Sequence, residues 1–349
     1  MSHRCCAMMM GLLLLAVPAM AAIPGMPADL DQRLNLALAY LAQSQRADGS
    51  LDDDNKPATH TALALMAFLS CGHTPDLGRY GLVVRNSVDY LLRQAPPEDS
   101  YYGKPSGSQL YGHAIVTLAL AEVSGVESDA TQRRRILTTL DQCVATLLKA
   151  QQARKKDPSH EGGWRYEPES EDSDLSVTGW CVLALRAAQN AGPRVPKSAI
   201  ERATSFILNC HRPEQLGFSY MPRQEPSIAM TGAAVLNLCL MDARHRPEVA
   251  QAQKYLLQSP VTEQTRYFYY SLYYATQAAH QLDEQTWQTV WKNTYKQLAQ
   301  RQLRDGAFRP APGEPGNMVD PQRASAVYAT SMAVLALSVP YRLLPIYQR

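Results

Sequence analysis

The sequence predicts an all-α protein, an α/α toroid of about six helical hairpins with an inner ring of helices inside an outer ring. Three observations predict it: an apolar segment of one form recurs along the chain, a helix with a single apolar stripe lies ahead of each copy, and no convincing run of period-two alternation occurs. No sheet is expected.

The recurring segment is a small polar residue followed by an aliphatic stretch of the Leu-Ala-Leu kind. It reads Thr61-Ala-Leu-Ala-Leu-Met-Ala-Phe68, His113-Ala-Ile-Val-Thr-Leu-Ala-Leu120 and Thr178-Gly-Trp-Cys-Val-Leu-Ala-Leu185, and returns at Thr231 and Thr330, with an aromatic copy from Ser271. By difference of their numbers the first residues stand 40 to 65 positions apart, room for one helical hairpin and a loop. These segments are apolar nearly all round, the mark of helices buried on every side.

The helices ahead of them differ. Ile136, Leu140, Cys143, Val144 and Leu147 follow helical spacing, as do Ile200, Ala203, Phe206, Ile207 and Cys210, and Trp287, Trp291, Thr294, Tyr295 and Leu298. One stripe with a charged opposite face places them outside. Glycine loops join the two kinds: Gln45 precedes Asp48-Gly49-Ser-Leu51, Gln302 precedes Asp305-Gly306-Ala-Phe308, Gln151 precedes Gly162-Gly163-Trp164-Arg165-Tyr166, and Gly217-Phe218-Ser-Tyr220 is a fourth version. Glycine permits the positive φ that ends a helix tightly, and the following aromatic tucks under the turn and seals the layer, so these residues read as structural staples.

The first residues have the order of a signal peptide over 1–21: a basic start at His3 and Arg4, an apolar run from Met8 to Val17, and small residues up to Ala21. That run is too short for a bilayer core of about 30 Å. Cleavage near Ala21 is expected, leaving residues 22–349 as one exported domain, periplasmic or extracellular, without a later transmembrane segment. A hydrophobic content of 46% allows a large core, and a net charge of +2 without a basic, aromatic-interleaved stripe argues against nucleic acid. Cys71, Cys143, Cys181, Cys210 and Cys239 lack regular short spacing and read as buried free thiols, with one bridge between paired helices left open.

The order Gln, Gly, aromatic, then a Thr-led inner helix resembles the QW-type repeat shared by squalene–hopene cyclases and prenyltransferase β subunits. The likeness covers nearly all of the mature chain and extends to the secreted bacterial prenyltransferase and squalene oxidase repeat proteins, through Tyr111-Gly-His113, Gly162-Gly-Trp-Arg-Tyr166, Tyr273-Tyr274-Ala-Thr-Gln277 and the closing Tyr341-Arg-Leu-Leu-Pro-Ile-Tyr347. It implies the toroid. The cyclases carry an acid in Asp-x-Asp-Asp-Thr at the head of an inner helix. Matching its Thr to Thr178 leaves Asp174 at the first acidic position, with Ser176 and Val177 where the other two stand. The transferases hold zinc with Asp, Cys and His, and here only scattered candidates such as Cys239, Asp242 and His280 occur, so no metal and no cofactor are expected.

In such a ring the heads of the inner helices converge on one end of a central cavity, and the residues there are the site candidates. His113 stands where other repeats have Thr; it is either a satisfied structural histidine or, with Asp174, an acid–base pair. Asp172 and Asp174 precede the third inner helix and either cap it or serve as acids. Asp172, Thr178, Trp180, Tyr270, Tyr274, Gln277 and Tyr328 are expected to contact a ligand, the tyrosines as one wall of an apolar cavity. Helical spacing groups Tyr267, Tyr270 and Tyr274 on one face, and Tyr269, Tyr273, Gln277 and His280 on another. His60, His73, His160, His211 and His245 read as surface residues. The function expected is binding of an apolar or isoprenoid-like ligand, or of a partner protein, without cyclase chemistry. The alternatives are a terpenoid- or polyprenyl-acting enzyme using Asp174 and His113, a carbohydrate-active enzyme, and a pure interaction scaffold.

Overall fold

The computed structural model describes residues 25–51, 55–97, 100–309, 311 and 325–348; the expected signal peptide lies outside them. Among the described residues there are twelve α-helices. Six form the inner ring: α2 (Pro57–Ser70), α4 (Gln109–Ser124), α6 (Leu175–Ala191), α8 (Ile228–Leu240), α10 (Phe268–His280) and α12 (Ala326–Leu337). Each packs on the next, and α12 packs on α2, which closes the circle. Six more lie outside: α1 (Leu30–Gln43), α3 (Gly81–Arg93), α5 (Ala130–Gln151), α7 (Lys197–Asn209), α9 (Pro247–Gln258) and α11 (Glu284–Arg301).

The two rings follow from the two helix types. Every residue of α2 from Ala58 to Ser70 is buried, whereas α7 buries only Ala199, Ala203, Phe206 and Ile207 along one stripe. The tryptophan stripe of α11 is buried too, with Trp287 stacked on Trp291. An inner helix has protein on every side and excludes charge; an outer helix keeps a wet face. Cys71, Cys143, Cys181, Cys210 and Cys239 are buried and unbridged.

The glycine loops are staples with one repeated geometry. The Thr one turn into an inner helix accepts a hydrogen bond from the backbone N–H of the apolar residue that follows the Gly turn: Leu51 to Thr61 at 2.8 Å, Trp164 to Thr178 at 3.0 Å, Phe218 to Thr231 at 3.0 Å, and Phe308 to Thr330 at 2.9 Å. The Gln ending the outer helix donates from Nε2 to a carbonyl of the next outer helix: Gln45 to Val83 at 2.9 Å, Gln151 to Ala199 at 2.8 Å, and Gln302 to Arg33 at 2.8 Å. The last of these joins α11 to α1, so it closes the outer ring. One difference from expectation is small: His211–Arg212 (β1) and Gly217–Phe218 (β2) pair as a two-stranded antiparallel ribbon. It is one of these loops drawn tight, too short to show as alternation in the sequence.

The carboxy-terminal tail closes the foot of the ring. Its 3₁₀ turn Pro345–Tyr347 lies against α6, the Tyr347 hydroxyl hydrogen-bonds that of Tyr273, and the Ile346 N–H donates to both carboxyl oxygens of Glu122 at 3.2 and 3.3 Å. Glu122 is 2% exposed, and burial pushes its carboxyl up to about 8. The folded value lies above the ordinary one. The stabilisation is therefore fully present below the usual glutamate range and is lost as the pH rises through about 8. The midpoint of urea unfolding should fall between about pH 5 and pH 9, and Glu122→Gln should weaken that fall. An unchanged slope in the variant would show that the latch is not what titrates. Asp174 adds a slope of the same sign, and His113, whose folded value is lowered to about 4, adds one of the opposite sign below its ordinary value of 6.5; both are common to the two proteins, so the difference between them isolates Glu122.

Candidate functional site

At the opposite end the inner helices begin around an open hollow of about 710 Å³. First-turn residues of all six contribute, among them Thr59 and His60 of α2, Tyr111 of α4, Ser176 of α6, Met230 of α8, Tyr270 of α10 and Tyr328 of α12. Two loops between the rings add Tyr166 and Tyr220, and the turn before α10 adds Tyr267. Six tyrosines therefore line the space, and Glu225 is the one carboxylate among the described lining residues. Below it the ring is solid: Trp180 stacks on Tyr273 with centroids 5.6 Å apart and planes 6° apart, and touches Tyr111, Tyr270 and Tyr274 edgewise or tilted.

Asp174 caps α6, its Oδ1 accepting from the Val177 N–H at 2.8 Å. Its Oδ2 is buried and has no hydrogen-bond partner, while the Arg165 guanidinium stands 3.7 Å away. Burial pushes the carboxyl up to about 7, against the opposing pull of the Val177 N–H and Arg165. Arg165 also pairs with Asp172 at 3.4 Å and lies over the rings of Tyr166 and Tyr220, 5.3 and 5.7 Å from their centroids. The two hydroxyls hydrogen-bond each other at 2.8 Å. Asp172 is half-buried behind this group and does not reach the hollow.

The structure does not bring His113 to the cavity. It is fully buried between the rings, Nδ1 accepting from the Tyr102 N–H at 3.3 Å while Nε2 lies 3.1 Å from the Cys143 carbonyl oxygen. That pattern requires a neutral ring with the proton on Nε2, donated to the carbonyl. His113 is thus the α4 version of the Thr staple, with a longer side chain that also spans to α5. Burial lowers its pKa to about 4, and neither nitrogen is left to exchange a proton with Asp174 or a ligand.

Of the residues expected to contact a ligand, Tyr270 and Tyr328 line the hollow. The Tyr270 hydroxyl hydrogen-bonds Ser176 at 2.8 Å. Trp180 and Tyr274 form the packed floor, Gln277 lies buried further down α10, and Thr178 is committed to its staple. The expected division of the α10 tyrosines holds for Tyr269, which turns outward to Phe308, but Tyr273 joins Tyr270 and Tyr274 around Trp180.

His60 was expected on the surface and is instead 4% exposed, lining the hollow with its Nδ1 3.3 Å from the Ser325 hydroxyl. Helix α2 begins four residues before Thr61, with Pro57 in its first turn, and that proline was the available signal. His160 is likewise engaged, accepting from the Ser173 N–H at 2.9 Å. Tyr166 and Tyr220 stand two residues beyond the staple aromatics Trp164 and Phe218. The repetition of Tyr at that offset was visible, although nothing in one copy alone marks it. Among the described residues no three of His, Cys, Asp or Glu converge as metal ligands, and no helix is long and apolar enough to cross a membrane.

Known proteins share this architecture. Drimenyl diphosphate synthase of Streptantibioticus cattleyicolor is 30% identical over 177 residues, a stretch that is 50% of this chain and 31% of that protein. The chain thus spans about a third of that relative's length. An inactive variant of the alpha-1,6-mannanase GH76A of Salegentibacter sp. HEL1_6, in complex with alpha-1,6-mannotriose, superposes with a TM-score of 0.65 at 10% identity, covering 89% of this chain and 100% of that one. A variant of the Scytonema type II terpene cyclase MstE, in complex with its product merosterolic acid A, gives 0.53 at 13% identity, covering 88% and 96%. At such identities the two structures speak for the fold alone. The family model for the prenyltransferase alpha-alpha toroid domain matches residues 162–268 and 249–344, together more than half of the sequence, and with the closed double ring this makes the chain a member of the prenyltransferase α/α-toroid family.

Proposed function

We infer that this protein is an exported binding toroid that holds an apolar, isoprenoid-like molecule in the tyrosine-lined hollow without protonating it. The observation that carries the reading is the hollow itself: about 710 Å³ at the heads of the inner helices, walled by six aromatic rings and their hydroxyls. That size lies within the range of small-molecule pockets. Cyclase chemistry is disfavoured because Ser176 and Val177 occupy two of the three acidic positions of the cyclase motif, and the remaining Asp174 has one oxygen committed to the helix cap. Glycoside cleavage needs two carboxyls flanking the bond, about 5 to 10 Å apart. Among the described residues the hollow offers Glu225 alone.

One experiment tests both halves. The protein is purified from the extracytoplasmic fraction and examined by native mass spectrometry after incubation with a lipid extract. The expected chain mass begins just after Ala21, with a retained prenyl lipid. Tyr328→Ala and Tyr111→Ala should each weaken retention roughly tenfold, since a buried aromatic contact is worth on the order of 1.5 kcal/mol or more. An unprocessed, cell-retained chain would overturn export; no retained lipid, or full retention in both variants, would overturn the binding reading.

A further inference from the structure

We propose that the Tyr166–Tyr220 hydroxyl pair, backed by Asp174, is a subsite that recognises a neutral oxygen, a hydroxyl or a carbonyl, on the molecule held in the hollow. This rests on the reading that the hollow binds a ligand and adds what kind.

The two tyrosines come from successive loops, those after Trp164 and Phe218, and both line the hollow. Their hydroxyls are 2.8 Å apart. Two O–H groups share one mutual bond, so one proton and several lone pairs remain to be used. Arg165 lies against both rings, which fixes their orientation before any ligand arrives. Behind them the Asp174 Oδ2 is fully buried without a hydrogen-bond partner. The Arg165 guanidinium stands 3.7 Å from that oxygen without hydrogen-bonding it; a buried oxygen left without a hydrogen bond costs on the order of 1–3 kcal/mol, and such a site is poised to settle its hydrogen bonding when a partner completes the network. Burial holds the Asp174 carboxyl at about 7, while the two tyrosine hydroxyls are raised above their ordinary value and stay protonated, so the pair offers O–H groups and lone pairs rather than charge.

Charge decides against an anionic head group here. At the tyrosine pair the Arg165 guanidinium already faces Asp172 at 3.4 Å and Asp174 at 3.7 Å, so it brings no surplus positive charge there; Lys56 and Arg266 line other parts of the hollow. A neutral oxygen can accept from one tyrosine hydroxyl, or donate into the pair, without adding charge next to a carboxyl. Sites built around a buried hydrogen bond reject the analogue that lacks the group, because their own polar atoms are then stranded.

The test compares farnesol with farnesene, which share the hydrocarbon chain and differ in the hydroxyl, by titration against the intact protein. The wild type should bind farnesol at least about tenfold tighter. Tyr166→Phe and Tyr220→Phe, which keep both rings and the Arg165 contacts, should each erase most of that preference while leaving farnesene affinity within about twofold. Equal binding of the two ligands by the wild type, or a preference that survives both substitutions, overturns the subsite and leaves the hollow as an apolar pocket. Failure of the wild type to bind either ligand overturns the binding reading itself, and the subsite falls with it.

Discussion

Gly306→Ala should destabilise the protein by about 2–5 kcal/mol, although it adds a single methyl group. Gly306 has φ +91°, and a Cβ there would stand 2.1 Å from the Leu36 carbonyl oxygen and 2.4 Å from its carbon. Both are backbone atoms of α1, which cannot rotate aside. The left-handed conformation alone costs a non-glycine residue roughly 1–2 kcal/mol, and the overlap adds about 1–3 kcal/mol by forcing α1 away from the loop after α11. That contact is where the first and last outer helices meet, next to the Gln302 bond to the Arg33 carbonyl, so the damage falls on ring closure. Gly107→Ala separates the two effects. Its φ is +69° with nothing within 4 Å of the added carbon, and it should lose only the conformational part, about 1–2 kcal/mol. Urea unfolding followed by circular dichroism measures both. Equal losses in the two variants would mean that close approach at the seam contributes nothing.

Trp180→Ala should cost about 3–5 kcal/mol, because it empties the centre of the aromatic floor. The side chain is 0% exposed and touches Tyr111, Tyr270, Tyr273 and Tyr274, which come from two other inner helices. Those helices are held apart by their own packing around the ring and cannot collapse into the gap, so little of the loss is recovered. Trp180→Phe should cost far less, about 1 kcal/mol, since the indole N–H is buried without a partner and its removal relieves an unmet hydrogen bond. Thermal unfolding of the two variants checks the order; a phenylalanine variant as unstable as the alanine one would show that a ring in the gap does not restore the floor. Both should also bind ligand more weakly than their stability alone predicts, since Tyr111 and Tyr270 rest on this ring and line the hollow above it.

The architecture was readable because burial leaves a periodic imprint. The inner segments beginning at Thr61, His113, Thr178, Thr231, Ser271 and Thr330 each fall on an inner helix, and the Gln–Gly–aromatic loops fall on its staples. The site was readable only in part. Tyr270 and Tyr328 sit on inner helices, where register predicts facing, and they line the hollow. Trp180 and Tyr274 have equally good register, yet they lie about one turn deeper, and the depth at which side chains stop and open space begins has no counterpart in helical period. Tyr166, Tyr220 and His60 come from loops or from a helix start, where a side chain's direction follows backbone turns rather than a repeat.

The sequence by itself determined the two kinds of helix, their number and order, and the staples between them, because apolar periodicity and glycine placement are local consequences of burial and backbone sterics. Only the tertiary structure decided that His113 is a neutral staple rather than a partner of Asp174, that the Glu122 carboxyl latches the tail at the foot of the ring, and that Arg165 gathers Asp172, Asp174, Tyr166 and Tyr220 at its head. Each of those outcomes joins residues far apart in the chain, and the distance between them is set by how the ring closes rather than by any spacing along it.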